Sequence, residues 1–62
     1  MTKHEKMYHK ISDLKYAIEE MEKKYGDADE YIGGQKFLYR EFVECLQEAE
    51  VISKSELEQL RL

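Results

Sequence analysis

The 62-residue sequence has no proline and no tryptophan, three glycines and a single cysteine. Without proline, nothing removes a backbone donor or forces a kink inside a helix. One cysteine excludes an internal disulfide, and no Cys/His cluster has the spacing of a structural zinc site. No apolar run reaches the length needed to cross a bilayer, and no apolar leader region follows the charged start Met1-Thr2-Lys3-His4-Glu5-Lys6. A lone thiol fits a reducing compartment, so the expectation is a soluble, cytoplasmic chain without cofactor or metal.

What is present is charge and grease in nearly equal measure: 39% charged residues of both signs and 42% hydrophobic residues. That composition is too apolar for a disordered tail and reads as helix with a solvated face. A chain this short buries only roughly 60% of the surface its unfolded form exposes. Small scaffolds therefore usually need a disulfide, a metal or a partner. With the first two set aside, association is the expected remedy.

The first segment carries the clearest pattern. His4, Met7, Ile11, Leu14, Ile18, Met21 and Tyr25 alternate at spacings of three and four, a heptad seam widened by Tyr8 and Ala17. Thr2 and Glu5 have capping-box spacing at its start, and Gly26 follows Lys23-Lys24 where a helix-ending glycine belongs. Glu19 with Lys23 and Glu20 with Lys24 have acid-first i,i+4 spacing.

A second capping box, Asp27 with Glu30, opens the next segment. Two apolar sets run along it: Tyr31, Leu38, Phe42, Cys45 and Ala49, with Gln35 completing the alternation, and beside them Ile32, Tyr39, Val43 and Leu46. Together with Phe37 this is more apolar surface than one facing helix covers. Gly33-Gly34 interrupts the segment. The pair reads as a break, with the main helix starting near Gln35, as a place for close approach of Met21 or Tyr25, or as a backbone contact to a ligand. Ser53 and Glu56 form a third capping box, with Ile52 and Leu57 placed to staple it. The run from Leu46 to Ser53 resembles the short C-terminal helical hairpins of many bacterial proteins, with Glu50 where those carry glycine. The resemblance implies a packing element and no activity.

The expected architecture is therefore all-α, one domain over 1–62: helix 1 about 3–25, helix 2 about 28–49, helix 3 about 54–61. The first two form an antiparallel hairpin that assembles into a homo-oligomeric helical bundle, a dimer being favoured.

Chemistry finds little purchase. His4 and His9 are five apart and share no helix face. Cys45 is expected to be a buried structural thiol, since acids rather than bases surround it. The carboxylates sit on helical faces where Lys or Arg answer them. The order amphipathic helix, Lys23-Lys24-Tyr25-Gly26, helix is similar to the small helical-hairpin phosphatases that act on sporulation response regulators. Their second helix carries Ser-Gln-Glu-Leu-Asp, however, and Gly34-Gln35-Lys36-Phe37-Leu38 keeps only the glutamine, so no activity carries over. No enzyme is expected.

The expected function is that of a small regulatory or inhibitory protein, of the kind bacteria and their phages encode, acting through protein contacts. The residues expected at the interface are Met7, Ile11, Leu14, Ile18 and Met21 on helix 1 and Tyr31, Phe37, Tyr39 and Phe42 on helix 2, although the helix 2 aromatics are as well suited to a core. The alternative is an acidic mimic of DNA that inhibits a nucleic-acid-binding protein. Residues 1–25 carry six Lys against five acids and residues 26–62 carry four Lys or Arg against nine, including Glu41, Glu44 and Glu48. A further alternative is a helix-turn-helix-like DNA-binding protein, which the net charge of −4 disfavours.

Overall fold

The computed structural model describes residues 1–26 and 29–62. It is all-α among those residues, with helices α1 (Lys3–Tyr25), α2 (Glu30–Glu48) and α3 (Lys54–Leu60). Among the described residues no helix is long and apolar enough to cross a membrane.

Each helix begins on a side-chain cap. Thr2 closes a reciprocal box with Glu5, and Ser53 one with Glu56, as the spacing predicts. α2 is capped by Asp29, whose carboxylate accepts from the N–H groups of Tyr31 and Ile32. The expected cap at Asp27 lies outside the described residues. α1 ends at Gly26, which takes φ +86° while its N–H donates to the Glu22 carbonyl. At the far end of α2 the Val51 N–H donates to Leu46 O (2.8 Å) and the Glu50 N–H to Gln47 O (3.0 Å). That pair is a Schellman ending. Glu50 supplies the left-handed residue it requires, at φ +62°, in the position where a glycine costs least.

Gly33-Gly34 does not break α2, which runs on through both. Two glycines cost about 2 kcal/mol in helix propensity. Ending the helix there would unseat Ile32, which is 1% exposed and whose burial is worth about 1.5–3 kcal/mol, and would forfeit the Asp29 cap. Neither glycine marks a close approach: a Cβ at either position meets nothing within 4 Å.

The helices meet in one cluster. Ile11 from α1, Tyr39 and Val43 from α2, and Ile52, Leu57 and Leu60 from the connection and α3 are buried together, with Met7, Tyr8, Ile18 and Leu46 packed against them. α1 and α2 are antiparallel: Ile11 packs near Val43, while Glu22 reaches Lys36 (2.6 Å) one end further on. α3 closes one face of this hairpin. The Tyr39 hydroxyl donates to Leu60 O (2.6 Å, buried), Lys15 Nζ donates to Gln59 O (3.0 Å), and the Tyr8 hydroxyl bonds the Gln59 amide. The Glu56 carboxylate serves twice, accepting from the Ser53 N–H at 2.9 Å and meeting His4 Nε2 at 2.6 Å. The Ser53 N–H first, and His4 second, hold that carboxyl below its ordinary range. Of the charge pairs along α1, Lys23 meets Glu20 at 3.6 Å, three residues back rather than four.

Glycine thus stands where side chains fit, and a side chain stands where glycine fits. Gly33→Ala, Gly34→Ala and Glu50→Gly should each raise the unfolding free energy by about 0.5–1 kcal/mol, read by urea titration of helical circular dichroism. A loss of stability in all three would contradict the helix path described. The Tyr39 phenol is pushed up to about 12, by burial first and then by Glu19 and Tyr8. Its folded pKa lies above the unfolded value near 10, so its contribution is whole below pH 10 and lost as pH climbs towards 12. Tyr39→Phe should cost about 1–3 kcal/mol at neutral pH by stranding the Leu60 carbonyl. It should also flatten the alkaline fall in stability across that window.

Candidate functional site

α2 presents two apolar stripes because residues three and four apart stack along a helix. The structure buries one of them. Ile32, Tyr39 and Val43 face the core and Leu46 packs against it. The other stripe, Tyr31, Gln35, Leu38, Phe42, Cys45 and Ala49, is turned about a quarter of the way round the helix. Tyr31 and Leu38 are each 67% exposed and Phe42 is 49% exposed, and Ala49 also lies open.

α1 contributes the opposite wall. Leu14, Ala17, Ile18 and Met21 stand across from Gln35, Leu38, Tyr39 and Phe42 and line an open groove of about 430 Å³. α3 packs on the other face of the hairpin, so no other element among the described residues covers the groove. Of its two polar side chains, Tyr39 spends its hydroxyl on Leu60 O, while Gln35 has an Oε1 that is buried and has no hydrogen-bond partner. A buried acceptor without a donor costs about 1–3 kcal/mol, so a rotation of this carboxamide that let its oxygen meet a donor would be favourable.

The residues expected at an interface divide accordingly. Leu14, Phe42 and, at one end, Tyr31 are open, and Ile18 and Met21 are half-buried at the groove. Met7 is half-buried against the core and does not line the groove. Phe37 is open, but on the flank of α2, away from the groove lining. Ile11 and Tyr39 belong to the chain's own core, at 3% and 5% exposure, because α3 docks over them and the Tyr39 hydroxyl finds its acceptor there. Cys45 is exposed rather than buried: it lies on the stripe that the hairpin leaves open. Sequence reasoning missed Leu38 and Ala17 as groove residues. The signal for Leu38 was its place in the alternation through Gln35.

The remaining features are weaker. Among the described residues no group of three or more His, Cys, Asp or Glu side chains is placed to hold a metal. Glu41, Glu44 and Glu48 are all exposed on the solvent side of α2, with Arg40 among them. A second concavity, between α2 and the chain end, is lined by Arg40, Val43, Glu44, Leu57, Arg61 and Leu62, and there the Glu44 carboxylate stands with the two cations.

Adjacent residues on α2 therefore answer to different forces. At chain concentrations low enough that stability no longer depends on concentration, Leu38→Glu should change the unfolding free energy by no more than about 0.5 kcal/mol. Tyr39→Ala should cost about 3–5 kcal/mol or unfold the chain. Equal effects at the two positions, in urea titrations, would mean that the stripes are assigned to the wrong faces. No protein-family model, no curated protein and no solved structure matches this chain.

Proposed function

We propose that this chain is a small, non-enzymatic regulatory or inhibitory protein that acts through protein contacts of the open apolar face of its helical hairpin, with a second copy or with another protein. The observation that carries the reading is the groove between α1 and α2, walled by Leu14, Met21, Leu38 and Phe42 and left uncovered by α3. Exposed apolar patches on soluble chains of this size mark contact sites, since leaving them in water is unfavourable and invites aggregation. Leucine and phenylalanine on rigid helices supply area at little entropic cost, and Tyr31 at the rim adds a polar tip. The mechanism is burial followed by occlusion of whatever the bound surface otherwise does. Binding at the groove favours an amphipathic helix as the partner element, read by anchors three and four residues apart.

The test compares wild type with Leu38→Glu, Phe42→Glu and the flank control Glu41→Gln, each checked for unchanged helicity. Tagged protein is recovered from its native cells, with self-association measured alongside. Partner binding, to itself or to another protein, should survive in the control and fall at least tenfold in both groove variants. A wild-type chain that binds neither itself nor any other protein, or groove variants that bind as well as wild type, would overturn the reading.

A further inference from the structure

Resting on that reading of the groove, we propose that its occupant is a second copy of this chain, giving a four-helix bundle in which α1 of each copy lies over α2 of the other. Three observations point to a copy rather than to an unrelated helix.

The first is area. A compact monomer of 7.5 kDa exposes about 4,250 Å², whereas this chain exposes 4813 Å². The surplus of roughly 550 Å² is close to the 600–1,000 Å² that each partner gives up in a stable dimer. The Cα envelope of 35 × 23 × 15 Å is correspondingly thin in one direction. Its radius of gyration of 12.2 Å exceeds the roughly 10.6 Å of a compact chain this long.

The second is periodicity and charge. The open stripe on α2 keeps the alternation of four and three from Tyr31 to Ala49, and α1 carries a heptad seam of its own. Each helix thus has the repeat that a bundle neighbour requires. α1 holds six Lys against five acids, while α2 holds Lys36 and Arg40 against four Glu. Pairing α1 with the partner's α2 sets a slightly basic helix on an acidic one, whereas pairing α2 directly with its own copy sets acid on acid. A twofold axis parallel to the helices makes the favoured pairing twice and leaves every neighbouring pair antiparallel.

The third is Gln35. The same axis brings the two copies of this residue to one level, towards the end of the bundle where α1 ends and α2 begins. A carboxamide is both donor and acceptor. Once the side chain swings its carboxamide out of the buried position it holds in the lone chain, the Nε2–H of each donates to the Oε1 of the other, and the orphaned acceptor is satisfied by its own duplicate. A single polar pair in an otherwise apolar seam also fixes register.

Sedimentation equilibrium on the full chain across a hundredfold concentration range tests this. Wild type should approach twice the 7.5 kDa chain mass, and Leu38→Glu should stay at the chain mass with its helicity intact. Gln35→Glu should weaken self-association at least tenfold at neutral pH, where two carboxylates face each other, and regain it on acidification below about pH 5. A wild-type chain that remains monomeric at 100 µM overturns the proposal. If that monomer still binds another protein in a Leu38-dependent way, the contact reading stands and only the second copy falls; if it binds nothing, both fall. Dimers that ignore both substitutions place the interface elsewhere and overturn it as well.

Discussion

α2 is apolar over more of its circumference than a two-helix hairpin with one short capping helix can cover, and most of this molecule follows from that mismatch. α3 has seven residues, too few to be helical alone. It folds because Leu57 and Leu60 insert beside Tyr39 and Val43. Once it is seated, the rotation of α2 is fixed: Ile32, Tyr39 and Val43 point inward, and the stripe through Leu38 and Phe42 points out. A rotation of about a quarter turn would bury the other stripe and break the Tyr39 to Leu60 bond. The choice between stripes is made by the helix that arrives last in the chain.

Polar contacts fix the geometry rather than drive it. The hydrogen bonds that tie α3 down come from Tyr8, Lys15 and Tyr39, and His4 adds its contact with Glu56. Only the Tyr39 bond is buried, and in a dry setting a satisfied hydroxyl specifies one arrangement because the alternatives leave it unpaired. The exposed ion pairs at Lys23 and Arg61, 3.6 Å long, add little in water.

Local chemistry was legible in the sequence, and rotation was not. The boxes at Thr2 and Ser53, the glycine at the end of α1 and the turn at Glu50 depend on residues within a few positions of one another. The extent of α1 followed from its seam. Gly33-Gly34 misled because helix propensity is a weak term, outweighed once Ile32 has a core to enter. Cys45 misled for another reason: periodicity shows that a helix is apolar along a line but not which of two lines is buried. That depends on Leu57 and Leu60, more than ten residues away in sequence, and on an acceptor carbonyl that no pattern announces. For the same reason Ile11 was legible as apolar but not as core, and Tyr39 was legible as suited to a core or an interface but not as to which of the two.

The open stripe also ties folding to binding. A chain of this length has a small core, and two local features cost it stability: glycines in mid-helix and a glutamate at positive φ. Whatever covers the groove binds the folded hairpin and not the unfolded chain, whose stripe residues are scattered. Its binding free energy is therefore added to the stability of the fold by mass action. Covering Leu14, Leu38 and Phe42 at roughly 25 cal/mol per Å² is a large increment for a domain whose total stability is of the order of 5 kcal/mol. Under the proposed contact the uncovered stripe is thus a reserve of stabilisation, and the side chains that leave the lone fold marginal are those whose burial would stabilise it.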